Sequence, residues 1–243
     1  MRLLDISFDD PAENLALDEV LLNRTEEGLA PSTLRLWESP VPFAVIGTAQ
    51  SLSQEVHEEH CLADGVPILR RCTAGGCVLQ GPGSLNFALA LRYEDYPETK
   101  GLHASYAFIL GRIVAALAAR GIQAKHQGAS DLAIEGGLKV SGNAQRRRRN
   151  AFLHHGSLLY RPDYESMERY LREPEERPDY RRNRSHKDFV GSLPLNSEGL
   201  REAIREAFDP QQTADALGNK DLDEVRILAR QKYLDPNWIR RRP

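Results

Sequence analysis

Two stretches of the chain hold residues whose types and spacing could do chemistry. The first is Arg70-Arg71-Cys72-Thr73-Ala74-Gly75-Gly76-Cys77-Val78-Leu79-Gln80-Gly81-Pro82-Gly83. Glycine and other small residues let backbone N–H groups approach an anion closely, and an arginine fork adds a bidentate grip on phosphate or carboxylate. The second is Lys139-Val140-Ser141-Gly142-Asn143-Ala144-Gln145. A lysine facing a pocket can neutralise a carboxylate and a phosphate together and polarise a carbonyl under attack. The small residues after Lys139 leave room for a ligand. Each stretch alone has a plain structural reading, a bend between strands for the glycines and a solvated edge strand for the lysine. Their pairing is what points to a site.

Other reactive side chains carry less. His154 and His155 are adjacent in a strand-like run, so they face opposite sides and do not easily chelate one metal together. Three cysteines, Cys61, Cys72 and Cys77, fit neither a disulfide framework nor a four-ligand zinc site. Cys72 and Cys77 read either as small packing residues or as a thiolate nucleophile in the loop. Arg146-Arg147-Arg148-Arg149 reads either as a solvated hairpin tip or as a docking patch for an acidic partner, which Arg181, Arg182 and Arg184 could extend. The net charge of -3 and the absence of interleaved aromatics argue against a nucleic-acid partner.

Stepping outward, the elements that must position these residues read as follows. Leu3 to Ser7 suits a short strand, and Asp10-Pro11 starts a helix that Gly28 stops. Thr33–Trp37 alternates like a half-buried strand, and Phe43 to Gly47 suits a central one. Ser53 to Gly65 reads as a helix, Val66 to Leu69 and Leu85 to Leu91 as buried strands on either side of the glycine loop. His103 to Arg120 has the clearest helical spacing. Ile122 to His126 suits a strand. Asp131 to Ile134 and Leu138 to Ser141 flank Glu135-Gly136-Gly137, a hairpin turn. Phe152 to Tyr160 is a further strand and Asp163 to Leu171 a short helix. Glu173 to Lys187, rich in Pro, Arg and Glu, reads as an exposed loop. Asn196 to Phe208 and Asp221 to Lys232 read as helices. The sum is an α+β domain on a mixed, largely antiparallel sheet flanked by helices.

With 243 residues, 41% of them hydrophobic, the chain can build a proper core. No early apolar run reads as a signal peptide and none is long enough for a bilayer span, so no membrane role is expected. Together with the cysteine pattern this predicts a cytoplasmic protein.

The glycine loop, the Lys139–Gln145 run and His154-His155-Gly156-Ser157-Leu158-Leu159 together resemble the lipoate-protein ligase group of the biotin/lipoate ligase and octanoyltransferase superfamily. Leu34 to Trp37, Ala44 to Gly47 with Gln50, Gly65 to Leu69, Asp131, Lys232-Tyr233 and Trp238 also fit, so the likeness covers most of the chain. It departs where Ala74 replaces a glycine, where Gln80-Gly81 replaces His-Asp, and where Ser130 stands for the asparagine before Asp131.

The resemblance implies a biotin/lipoate-ligase-like catalytic domain over residues 1–195 and a short helical C-terminal extension over 196–243. A partner subunit could then supply an accessory domain. It implies activation of lipoate or octanoate with ATP and Mg2+ to an acyl-adenylate, then transfer to a lysine of an acidic lipoyl acceptor domain. By motif position, Arg71, Gly76, Cys77, Val78 and Leu79 would bind the adenylate. Lys139 would hold both its phosphate and the acyl carbonyl oxygen. Thr73, Gly75, Gly142 and His155 would meet the acyl part, and Asp131 would lie near the adenine or a metal. Two alternatives stay open: an ATP-independent octanoyl- or lipoyltransferase using a cysteine, and a non-catalytic acyl or nucleotide binder. The cysteine positions known in the transferase branches are not filled here, with Gln127 to Ser130 before Asp131 and no cysteine after Cys77.

Overall fold

The computed structural model describes residues 1–175, 177–214 and 216–242. Strand β1 (Arg2–Asp5) leads into helix α1 (Pro11–Glu26). The Asp10 carboxylate accepts the Ala12 N–H, and Pro11 sits in the first turn, where its missing N–H costs nothing. Strands β2 (Thr33–Trp37) and β3 (Phe43–Ile46) follow. The single helix expected from Ser53 to Gly65 is instead two, α2 (Leu52–Glu55) and α3 (Glu58–Asp64). They break at Val56, whose extended backbone bridges to Leu171. Strands β4 (Ile68–Arg70) and β5 (Val78–Gln80) bracket the glycine loop, and β6 (Ser84–Arg92) follows.

Helix α4 (Leu102–Ala118) precedes β7 (Lys125–Gln127), which starts later than the expected Ile122. Strands β8 (Asp131–Ile134) and β9 (Leu138–Arg147) form the expected hairpin, with Gly136 and Gly137 at φ 74° and 67° in its turn. Then come β10 (Ala151–Leu159), α5 (Tyr164–Tyr170), α6 (His186–Phe189), α7 (Ser197–Phe208), β11 (Gln212–Ala214), α8 (Asn219–Leu228) and α9 (Pro236–Ile239).

The large sheet runs β11-β1-β2-β6-β10-β9-β8-β7, and a small sheet runs β4-β3-β5. In the large sheet β1 lies parallel to β2 and β11, and every other pairing is antiparallel. One core, including Leu34, Phe87, Phe152, Ile113 and Ile204, lies between the large sheet and helices α4 and α7. A second, including Leu17, Trp37, Val45 and Tyr233, joins α1 to both sheets and to the C-terminal turns. Residues after 195 pack into this same body: α7 against α4, β11 beside β1, α8 against α1. Among the described residues no helix is long and apolar enough to cross a membrane.

Candidate active site

The small sheet presents the glycine loop. The Arg71 N–H donates to the Ile46 carbonyl at 3.0 Å and the Thr48 N–H to the Thr73 carbonyl at 2.8 Å, so the loop lies against the end of β3. Gly47 permits this approach: a Cβ there would sit 2.1 Å from the Gly75 carbonyl oxygen. Gly75 itself has φ +92°, a left-handed backbone that favours glycine.

Arg71 is the loop's internal template. Its buried guanidinium donates to the carbonyls of Ala74 (2.8 Å), Gly76 (2.8 Å) and Val45 (3.2 Å) and to Thr73 Oγ1 (3.0 Å). Burial lowers its pKa. Arg70 is fully buried beneath, donating to the carbonyls of Gly47 (2.8 Å), Gln50 (2.7 Å) and Ile239 (2.9 Å), and so binds the C-terminal turn to the loop.

The large sheet presents Lys139. Its Nζ lies 2.8 Å from Asp131 Oδ1, across the β8–β9 hairpin. Gly142 leaves it space, since a Cβ there would lie 3.1 Å from Nζ. The other Asp131 oxygen accepts the Tyr180 hydroxyl at 2.7 Å. Burial, reinforced by Asp131, keeps that phenol protonated by raising its pKa. The described residues of the segment expected as an exposed loop from Glu173 to Lys187 form a strap beside the site, many of them exposed, with Pro174, Pro178, Arg181 and His186 on the cavity wall. Glu173 pairs with Arg181, which is buried, and with His186 at 3.1 Å. The strap ends by pairing the Gly191 N–H with the Lys139 carbonyl at 2.8 Å.

Between the sheets lies a cavity of about 350 Å³. Arg71, Gly75, Gly76, Cys77, Val78, Leu79, Asp131, Lys139, Gly142 and His155 all line it, so the structure gathers these expected residues in one place. Thr73 is buried behind the wall, against His155. Leu15, Trp37 and Val45 add apolar surface, and Asp18 and Glu55 add carboxylates that the sequence reading did not pick out. A signal for Asp18 existed: it and Glu19 interrupt an otherwise apolar helical run, and both are buried.

Neither loop thiol is set up as a thiolate. Burial, with Glu55 adding, pushes Cys77 up to about 12, and burial likewise raises Cys72. Cys61, on α3, is pushed up to about 11 by burial and the nearby Asp64. His154 lies on the opposite face from His155, fully buried, and burial depresses its pKa to about 3. It is a neutral core histidine held by Gln145 (3.0 Å) and Asn143 (3.2 Å).

Mg2+ does not find a ready cage here. Asp131 already serves Lys139 and Tyr180. Among the described residues the one grouping of three candidate ligands, His57, Glu59 and His60, lies outside the cavity wall.

The arginine run also has internal uses. Arg146 donates to buried Glu19 at 2.7 Å. Arg147 donates to the carbonyls of Thr99 (2.9 Å) and Lys100 (2.7 Å) and lies over Tyr93 and Phe152. Arg148 reaches Asn23 at 3.1 Å. Arg184 caps the turn through the carbonyls of Gly137 (2.9 Å) and Tyr180 (2.8 Å).

Comparison with known proteins agrees with this architecture. A model of the family described as "Lipoyl protein ligase A/B catalytic domain" matches residues 10–216. A protein of Aeropyrum pernix, provisionally named lipoate-protein ligase A, is 32% identical over 170 residues, covering 70% of this chain and 61% of its own length. The octanoyltransferase LipM of Kyrpidia tusciae is 31% identical over 273 residues, covering 98% of this chain and 97% of that protein. Among solved structures, a lipoate-protein ligase A bound with ATP superposes with a TM-score of 0.85 at 22% identity, over 98% of each chain. The resemblance noted in the sequence therefore holds at the level of family and fold. The chain belongs to the lipoyl protein ligase A/B catalytic-domain family, enzymes named both for lipoate ligation and for octanoyl transfer.

Proposed function

We propose that this chain is an ATP-dependent ligase that joins lipoate or octanoate to a lysine of a lipoyl acceptor domain. The observation that carries the reading is an amine, Lys139, on the wall of one cavity together with the glycine loop. In the first step an acyl carboxylate oxygen attacks the α-phosphorus of ATP and pyrophosphate leaves. In the second the acceptor amine attacks the acyl carbon; the C–N bond forms, the C–O bond to phosphate breaks, and AMP leaves. Both steps concentrate negative charge on oxygens that a cation can stabilise, and one such oriented donor is worth roughly 3–4 kcal/mol.

In this reading Lys139 contacts the phosphate and the acyl carbonyl oxygen, with Asp131 as its resting counter-ion. Arg71 shapes the loop, and Gly76, Cys77, Val78 and Leu79 turn backbone toward the adenylate. Gly75, Gly142 and His155 border the acyl chain, with Thr73 behind them, and Leu15, Trp37 and Val45 give it an apolar slot. Relatives supply the chemistry by analogy: one neighbouring structure is a lipoate-protein ligase bound with ATP, and another, from Thermoplasma acidophilum, is a bi-partite ligase with its E2 lipoyl domain. The second reading is ATP-independent octanoyl transfer, which the LipM relatives favour because they match along 98% of the chain. It needs a reactive thiol, and the raised pKa values of Cys72 and Cys77 weigh against one.

Mass spectrometry of a lipoyl domain incubated with the chain, lipoate and ATP tests this. The proposal expects one acyl mass gain that requires ATP and is lost in Lys139→Ala. Acylation from an acyl thioester without ATP would reject it in favour of transfer.

A further inference from the structure

We propose that Asp18 and His155 are positioning residues of this site: they fix the buried hydroxyl of Thr73 and, through it, the glycine loop. The kinetic consequence rests on the ligase reading above; the geometry does not.

Four side chains from separate elements form one line. Arg35 on β2 is fully buried and donates to Asp18 Oδ1 at 2.7 Å, to Asn14 Oδ1 at 2.8 Å and to the Asn14 carbonyl at 2.7 Å. That leaves Asp18 Oδ2 facing His155 Nδ1 at 3.2 Å. On the far side of the ring, His155 Nε2 meets Thr73 Oγ1 at 2.8 Å. Thr73 Oγ1 also takes the Arg71 Nε–H at 3.0 Å.

The protons follow from what each group can do. A carboxylate only accepts, so Asp18 takes the hydrogen carried on His155 Nδ1. In the neutral ring Nε2 then carries the lone pair and accepts the Thr73 hydroxyl hydrogen, while the Thr73 oxygen accepts from Arg71. Arg35 holds that carboxylate in place and balances its charge, as a buried anion requires. The order hydroxyl, imidazole, carboxylate is that of the hydrolase triads. Here, however, Thr73 is only 1% exposed and lies behind the cavity wall, so its hydroxyl has no open line to a substrate. The device therefore orders the wall. It ties β10 of the large sheet to the loop of the small one, with α1 as the anchor, and a rigid loop is what an adenylate site needs.

Asp18→Asn is the sharp test, because it keeps the shape and changes the protons. An amide turned to donate to Nδ1 moves the ring hydrogen to Nε2, which then donates to Thr73 Oγ1, reversing that hydrogen bond and turning the Thr73 hydroxyl hydrogen away. Acyl-acid-dependent pyrophosphate release should fall ~10- to 100-fold, the worth of one or two oriented hydrogen bonds. Thr73→Val should match that loss, and Thr73→Ser should restore most of it. Nitrogen-detected NMR of the imidazoles reports the tautomer without any turnover, so it decides the geometry whether or not the chain makes an adenylate. The wild type should show His155 protonated at Nδ1, and Asp18→Asn at Nε2. A wild-type Nε2–H tautomer, or full activity in Thr73→Val, would overturn the proposal. An acyl adduct on Thr73 in the intact mass would also overturn it, by making that hydroxyl a nucleophile.

Discussion

The contact between β3 and the glycine loop can be tested by adding one methyl group. In Gly47→Ala the new Cβ would lie 2.1 Å from the Gly75 carbonyl oxygen and 3.2 and 3.3 Å from the carbonyl carbons of Gly75 and Ala74. The contact with the oxygen is about 1 Å or more inside normal contact, and the obstacle is backbone. The loop cannot retreat freely, because Arg71 holds the carbonyls of Ala74 and Gly76 at 2.8 Å each. Over-packing of this kind costs ~1–3 kcal/mol. For a chain of this size each kcal/mol moves the thermal midpoint by ~2–4 °C, so a fall of roughly 2–12 °C is expected. Activity should suffer more than stability. If the loop moves by about 1 Å, the rate of adenylate formation should drop on the order of 10²-fold at temperatures where the variant stays folded. Gly111→Ala, with open space at its Cβ on helix α4, is the control and should be neutral or slightly stabilising. Scanning fluorimetry and a coupled pyrophosphate assay measure both quantities. Unchanged midpoint and rate in Gly47→Ala would show that the loop does not lean on β3 as described.

Three further outcomes follow from the same structure. Arg35→Met leaves the Asp18 carboxylate buried without its cation and should cost ~3–5 kcal/mol by urea unfolding, with part of it recovered in Arg35→Met/Asp18→Asn; an additive double variant would deny the coupling. The folded pKa of His154, about 3, lies below its unfolded value of 6.5, so the unfolded chain binds the extra proton between them. This contribution is complete above the unfolded value and is lost as pH falls toward the folded one, at about 1.4 kcal/mol per pH unit. Unfolding free energies from pH 6 to pH 4 should fall more steeply in the wild type than in His154→Gln, by up to about 1.4 kcal/mol per pH unit; an equal slope in both would exonerate the histidine. Cys77, pushed up to about 12, should react with iodoacetamide at pH 8 roughly 30- to 100-fold more slowly than a free thiol, the lost thiolate fraction being partly offset by the greater nucleophilicity of a more basic thiolate. Alkylation at the free-thiol rate would contradict the raised pKa.

Much of this architecture was readable from local patterns. Asp10-Pro11 marked the start of α1, the Gly136-Gly137 turn marked the β8–β9 hairpin, and a mostly apolar run marked β6. Short elements were not readable, because three residues carry no period: β5 and β11 exist through their pairing with β3 and β1. The break at Val56 is tertiary as well, since its extended backbone is met by Leu171 from α5's far end. Residues of the glycine loop and of the Lys139 run line one cavity. What escaped the sequence is the supporting layer. Asp18 sits on a helix that read as apolar, and its meaning appears only beside Arg35 and His155. Tyr180 and Arg181 lie in a segment whose composition says solvent, yet Asp131 and Glu173 draw them in. The Arg146 to Arg148 run looked like free charge because its partners, Glu19, Asn23 and the carbonyls of Thr99 and Lys100, are distant in sequence.

The central claim is that the chain makes an acyl-adenylate without help from a thiol. Isotope exchange between pyrophosphate and ATP, with lipoate or octanoate present and no acceptor domain, measures that step alone. Exchange should depend on the acyl acid, persist in Cys72→Ala/Cys77→Ala and disappear in Lys139→Met. No exchange in the wild type, together with acceptor acylation from an acyl thioester that Cys77→Ala abolishes, would contradict that claim.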